Sequence, residues 1–322
     1  MGPGGGCRGC AILSLLRFPF HSPPRPMTIS LALALTLVVP TSPTPPVRWG
    51  SDGHEMASRA AVETLPADVP AFFRGAADQL VYLGPEPDRW RSRPLREMDQ
   101  AWSYDHYIDL ENVPPTALEA PDRWVYVRML YQAGLERPEA DAGFLPFRIV
   151  EMYQRLVTEW RLWRTATDPA RRAWIEARIL NDAGTLGHYV LDASNPHHTT
   201  IHFNGWAEGK PNPNGYTTER DFHGRFESDF VRAHVKYQDV RSRLKGDTRS
   251  VAGAARKAVW EHVVATNAQV ETLYRLEKEV GFDPDAPTRP ATRDFTAERI
   301  AAGAEMLRTL WWSAWLESAT AP

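Results

Sequence analysis

The sequence predicts an all-α fold. Apolar residues recur at three- and four-residue spacing, as in Trp124/Val127/Leu130/Tyr131 and Phe222/Phe226/Phe230. No run alternates with the period of two that a half-buried strand needs, and the Asn214-Gly215 pair has no flanking strands to join. Taken in order, the first helix is expected over 54–64, opened by Trp49-Gly-Ser-Asp-Gly-His54 with Asp52 or Gly53 as its cap. The second, 67–82, gives way to a loop over 83–100 marked by Gly84, Pro85, Pro87 and Pro94. Helices over 123–136, 144–166 and 169–192 follow, the last stopped by Pro196. A second loop, 193–218, carries Pro196, Gly205, Gly209, Pro211, Pro213 and Gly215. The phenylalanine stripe lies in 219–244, and helices over 249–280 and 292–318 flank a third loop at 281–291.

A chain of 322 residues, 43% apolar and 11% aromatic, has material for one sizeable core. One domain is expected over 49–322, because only the first 48 residues look foreign to it. Met27-Thr-Ile-Ser leads into the apolar run Leu31–Val39 and a Pro/Ser/Thr stretch at 40–46, the layout of a secretory signal. That run is short of the roughly 20 apolar residues of a membrane span. Arg8, Arg17 and Arg25 supply a basic region before it, unless the chain starts at Met27. The expectation is an exported protein, periplasmic or secreted, with no transmembrane span once segment 1–48 is cleaved; an uncleaved anchor is the alternative. Cys7 and Cys10 both lie in that segment, so neither disulfides nor sulfur ligands serve the mature domain. A net charge of -3 gives no general pull toward nucleic acid or anionic lipid, and any recognition of phosphate has to be local.

The chemistry-bearing residues fall in four pieces. His188 and Asp192 stand four apart at the end of a helix, so both leave the same face and can grip one ion, and Pro196 then delivers His198 from a loop. A carboxylate such as Asp192 can also bridge two ions. His223 and Glu227 repeat the spacing beside the phenylalanine stripe. His54 sits in the first turn of its helix, and Asp105-His106-Tyr-Ile-Asp109 follows the loop that holds Pro87-Asp88-Arg-Trp-Arg91. Singly, each has a plain alternative, a solvated or capped pair or a core histidine. Together, with no cysteine, they form an imidazole and carboxylate set suited to zinc rather than to calcium or magnesium.

These motifs, Trp49 with His54 five residues on, His106-Tyr-Ile-Asp, His188-x3-Asp192-x5-His198 and His223-x3-Glu227, resemble the superfamily of zinc-dependent phospholipases C and single-strand-specific zinc nucleases. The resemblance runs from Trp49 to about Val231 and implies a helical bundle with three zinc ions at one end. It implies one zinc on Asp88, His106, His188 and Asp192, with Asp99 or Asp105 able to replace Asp88. A second, sharing Asp192, would take His54 and the amino group and carbonyl of Trp49, freed by cleavage after Arg48. The third would take His198, His223 and Glu227. His197, His202, His234 and His262 match no ligand position. The implied reaction is attack of a zinc-activated water on phosphorus, with Asp88 orienting the water or accepting its proton. Substrates would be phospholipids or single-stranded nucleic acid and nucleotides, with no stable protein partner. Phe222-His-Gly-Arg-Phe-Glu-Ser228 resembles the phospholipases, whereas Trp-Gly-x-x-Gly-His resembles the nucleases; the former branch is favoured. A non-catalytic zinc-binding or lipid-surface module is the reading from another class.

Overall fold

The computed structural model describes residues 50–244 and 246–320; segment 1–48 and the expected ligand Trp49 lie outside them. The described residues fold as α1 (Ser51–Glu63), α2 (Ala71–Arg74), α3 (Ala77–Leu83), α4 (Glu86–Trp90), α5 (Arg96–Ser103), α6 (Arg123–Gln132), α7 (Pro138–Asp141), α8 (Leu145–Thr165) and α9 (Pro169–Asp192). There follow α10 (Phe222–Gly224), a π-type turn (Arg225–Phe230), α11 (Val231–His234), α12 (Tyr237–Arg241), α13 (Ala255–Asn267), α14 (Val270–Glu279) and α15 (Pro290–Glu317). The fold is all-α: among the described residues the only β pairing is two isolated bridges, Ile108 with Gly143 and Phe203 with Gly205. No described helix is long and apolar enough to cross a membrane.

Local chemistry accounts for the helix starts. The Asp122 side chain accepts hydrogen bonds from the Trp124 and Val125 amides at the head of α6, and Asp168 accepts from the Arg171 amide at the head of α9. Proline at the first helical position opens α9 and α15, where its missing N–H costs nothing.

Several expectations from the sequence need correction. α1 begins three residues earlier than expected with Gly50 as its cap, so Asp52 and Gly53 are inside the helix. The span 67–82 is two helices separated at Gly75-Ala76, and the supposed loop 83–100 contains α4 and the start of α5, because prolines sit at helix starts there. The span 249–280 starts at Ala255 and breaks at Ala268-Gln269. The span 219–244 is interrupted by the π-type turn and again at Val235-Lys236. In α6 only half of the expected stripe is covered: Leu130 is buried and Val127 packs against the core, as does Tyr126 from outside the stripe, whereas Trp124 is 76% and Tyr131 55% exposed.

α9 is the organising element. α8, α3, α15, α1 and α4 pack against it, and every residue from Asp182 to Asp192 is buried. It contributes Leu186, Tyr189 and Val190 to a core with Trp160, Tyr126 and Trp311, and Leu191 to a second with Phe222, Phe226, Phe230 and Tyr274. Gly184 permits this crowding: a Cβ there would lie 2.4 Å from that of Leu83, so only glycine lets the end of α3 press on α9. The next residue, Gly84, is as close to α1, and a Cβ on it would meet Ser58 Oγ at 2.9 Å. The end of α3 and the body of α1 thus pack beside the last two turns of α9.

Candidate metal centre

Those two turns carry His188 and Asp192, both at most 1% exposed. His188 Nδ1 lies 3.0 Å from the Gly84 carbonyl oxygen. A carbonyl only accepts, so Nδ1 holds the proton and Nε2 presents a lone pair inward. That Nε2 lies 3.0 Å from His106 Nδ1 and 3.2 Å from Asp192 Oδ2, while His106 Nδ1 lies 3.0 Å from the same oxygen. Asp88 Oδ1 faces both rings, 3.8 Å from His106 Nδ1 and 3.9 Å from His188 Nε2. His54, delivered by α1, stacks on His188 with centroids 4.1 Å apart and sets Nε2 3.7 Å from Asp192 Oδ1.

The second grouping repeats the device. His198 Nδ1 lies 2.6 Å from the His106 carbonyl oxygen, so its Nε2 is the lone-pair nitrogen. It sits 3.2 Å from His223 Nε2 and 3.4 Å from Glu227 Oε2, and His223 Nε2 is 2.8 Å from Glu227 Oε2. The second oxygen of Asp192, Oδ1, lies 3.8 Å from His198 Nδ1, so this carboxylate stands between both groupings. His54/His188/Asp192, Asp88/His106/His188 and His198/His223/Glu227 each gather donor atoms within 4.8 Å of one another and could hold a metal ion. Bonds of 2.0–2.1 Å in a tetrahedron space the ligands roughly 3.3 Å apart; most of these separations cluster around that length. Lone-pair nitrogens turned toward one another in a buried place could share a cation.

Electrostatics points the same way. Burial alone opposes ionisation of Asp192, but His188, His198 and hydrogen bonding to His106 hold it well below the usual carboxylate range. Glu227 is likewise held down by His223 and His198 despite its burial. Burial pushes His54 and His106 well below the ordinary imidazole value, keeping them neutral, and raises Asp88. His198 rises to about 9, burial being outweighed by Asp192 and Glu227.

Of the residues singled out from sequence, His54, Asp88, His106, His188, Asp192, His198, His223 and Glu227 come together; Trp49 lies outside the described residues. Asp105 does not replace Asp88, since Arg123 Nη1 at 2.9 Å and Arg148 Nε at 2.8 Å occupy it. His197 packs its ring edge-on against Phe222 and Phe226, His202 stacks on Trp206, His262 Nε2 lies 2.8 Å from Ser194 Oγ, and His234 pairs with Thr288. Sequence reading missed the Gly84 carbonyl, and Asn195, whose Nδ2 donates to Glu227 Oε2 at 3.1 Å.

The centre opens on a cavity of about 620 Å³ lined by Asp88, His106, Asp192, His198, His223 and Glu227. Four arginines share its wall, Arg91, Arg220, Arg225 and Arg232, with Tyr107 and Phe203. Arg91, three residues from Asp88 and so on the same side of its turn, was the one the spacing could have revealed; its Nη1 is 3.6 Å from Asp88 Oδ1. Asp109 also lines the cavity, with burial and then Glu111 lifting its carboxyl to about 8. No family model matches the chain, and neither a curated protein nor a solved structure does.

Proposed function

We propose that this protein is a zinc-dependent hydrolase of phosphate esters, holding three zinc ions and acting as a phospholipase C does. The observation that carries the reading is a buried imidazole and carboxylate centre that opens on a cavity. A structural zinc site is closed, whereas a catalytic one keeps a position open to substrate; here six of the donor residues line the cavity wall. This weighs against a non-catalytic zinc module.

Asp88, His106, His188 and Asp192 would hold one ion, His54 and Asp192 a second with Trp49, and His198, His223 and Glu227 the third. Zinc supplies, when bound, a water acidic enough to yield hydroxide near neutral pH and positive charge beside the phosphate oxygens. The chain's own residues do the rest. Gly84 and the His106 carbonyl fix the tautomers of His188 and His198, so their donor atoms stay aimed inward. Asp88, at the cavity wall and raised by burial, is placed to orient a water and accept its proton. Arg91 offers a planar pair of N–H donors to a phosphate at the same wall.

A second reading, a single-strand nuclease or nucleoside 3'-phosphatase, has an observation of its own: Tyr107 and Phe203 give the cavity aromatic faces on which a base can stack. Metal analysis of the purified protein, with assays against phosphatidylcholine, single-stranded DNA and a nucleoside 3'-phosphate, tests both. Bound zinc with phosphocholine release is expected. Protein free of transition metal and inert toward all three substrates would overturn the proposal.

A further inference from the structure

His106 lacks the device that fixes His188 and His198. Its Nδ1 faces the centre, 3.0 Å from both His188 Nε2 and Asp192 Oδ2, and its Nε2 is buried with no hydrogen-bond partner among the described residues. Metal-binding histidines ordinarily anchor the second ring nitrogen on a carbonyl or a carboxylate. Here the ring is bounded instead by the rings of Tyr189 and His188, with centroids 5.3 and 4.8 Å away in edge-on contact. Such edges confine an imidazole without the directionality of a hydrogen bond.

The place of His106 is therefore set by its backbone, and the backbone is clamped. On one side the Phe144 amide donates to the Tyr104 carbonyl at 2.7 Å, the Leu145 amide to the Tyr107 carbonyl at 3.1 Å, and the Asp109 amide to the Ala142 carbonyl at 2.8 Å. On the other, the Ile108 amide donates to the His198 carbonyl at 2.9 Å, and His198 Nδ1 donates to that of His106 at 2.6 Å. Residues 104–109 thus run between the start of α8 and the turn after α9 and serve both groupings at once. The His106 ring joins Asp88 and His188, and the His106 carbonyl aims His198 at His223 and Glu227.

Directly before His106 stands Asp105, only 1% exposed. Arg123, at the head of α6, donates Nη1 to its Oδ1 at 2.9 Å, and Arg148 of α8 donates Nη2 and, at 2.8 Å, Nε to its Oδ2. Both guanidiniums are themselves held. Arg123 donates Nε and Nη2 to Glu151 at 3.0 and 2.8 Å and lies over the Phe144 ring, and Arg148 lies over that of Trp102. Two planar forks carried by packed helices leave a buried carboxylate one position to occupy.

We infer that Asp105 is a positioning residue of the centre: gripped by Arg123 and Arg148, it holds the backbone from which His106 presents its ring to one grouping and its carbonyl to the other. The inference rests on the reading of the centre as a zinc site and adds to it a residue that touches neither ion nor substrate. A buried ion pair elsewhere in the fold would bear on stability alone. This one is joined by a single peptide unit to a residue that serves both groupings.

The test compares the full chain with Asp105→Asn and Arg148→Gln, and with Arg155→Gln, which takes the guanidinium from a different buried carboxylate, that of Asp182 at 2.7 Å. Zinc affinity is read by competition with a chelating dye. The His198 Nδ1–H proton is read by NMR of metal-free, histidine-labelled protein, where its bond to the His106 carbonyl shifts it downfield and shields it from exchange. Asp105→Asn and Arg148→Gln should each weaken zinc binding about 10–100-fold and shift or abolish that proton signal. Arg155→Gln should lower the thermal midpoint and leave both readings at wild type. Arg148→Lys, which keeps the charge without the fork, guards against a variant that fails to fold and should move both readings the same way. Unchanged affinity and an unmoved His198 proton in the Asp105 and Arg148 variants, or equal losses in Arg155→Gln, would overturn the inference. Wild-type protein that takes up no zinc would remove the hydrolase reading, and the His198 proton would then decide this one by itself.

Discussion

Asp192 is the residue on which the centre turns. Its Oδ2 faces His106 and His188, and its Oδ1 faces His54 and His198, whereas Glu227 meets His198 and His223 through a single oxygen, Oε2. Asp192→Asn is therefore expected to lower both zinc content and hydrolysis further than Glu227→Gln, measured side by side by elemental analysis and initial rates. Wild-type rates in both variants at equal metal content would show that the centre is not the catalyst. Asn195 supports Glu227 without facing an ion, and Asn195→Ala should weaken zinc binding by about 10–100-fold while the remaining ligands stay in place; a competition titration with a chelating dye reads this. The residues that gather at the centre were legible in the sequence because two of the pairs, His188/Asp192 and His223/Glu227, express one helical turn directly. Gly84 and Asn195 were not. A backbone carbonyl leaves no mark in a sequence, and an asparagine beside a helix end reads as a turn residue until the tertiary structure aims it.

α9 does two jobs along its length: its buried second half carries the centre, and its first half is largely in water. Where these meet, Asp182 lies against Glu159 of α8, each with an arginine reaching in, Arg155 at 2.7 Å and Arg178 at 2.9 Å. Burial, and then the Asp182 charge, raises the Glu159 carboxyl to about 7. The folded protein thus holds this proton more tightly than the unfolded chain does. The contribution to stability is full below an ordinary carboxylate value of 4.5 and is lost as pH rises through about 7. Glu159→Gln should leave the thermal midpoint almost unchanged on the acid side of that window and raise it on the alkaline side; an unaltered pH profile would show that the pair shares no proton. Element boundaries were less legible than the elements. The stripe Phe222/Phe226/Phe230 was read as one face, and all three are buried, yet positions four apart drift around a regular α-helix. The π-type turn at Arg225–Phe230 takes up that drift, and a hydrophobic pattern of period four does not announce it. In α6 the pattern gave the period, but only packing decides how much of the stripe is covered.

The candidate donor residues come from α1, α4, the segment before residue 110, α9, the turn after it and α10 with its π-type extension, so ions bound as proposed would tie together most of the molecule. Ions held there would add positive charge beside the buried Asp192 and Glu227. A ligand present at about a thousandfold over its dissociation constant adds about 4 kcal/mol, and about 2–4 °C accompanies each kcal/mol in a domain of this size. Dialysis against a chelator should therefore lower the thermal midpoint by about 10 °C per ion lost, with recovery on adding zinc; calorimetry before and after decides, and an unmoved midpoint would rule out a buried metal. The order of the chain has a temporal consequence. Every ligand discussed here precedes residue 230, but α1 and α9, which carry His54, His188 and Asp192, both pack on α15, at the opposite end of the sequence. During synthesis the full donor set emerges while the surface that holds two of its helices is still unmade. On the proposed reading, ions would be captured only once α15 has docked, and they would be those of the compartment where that happens, whatever the nascent chain met on the way.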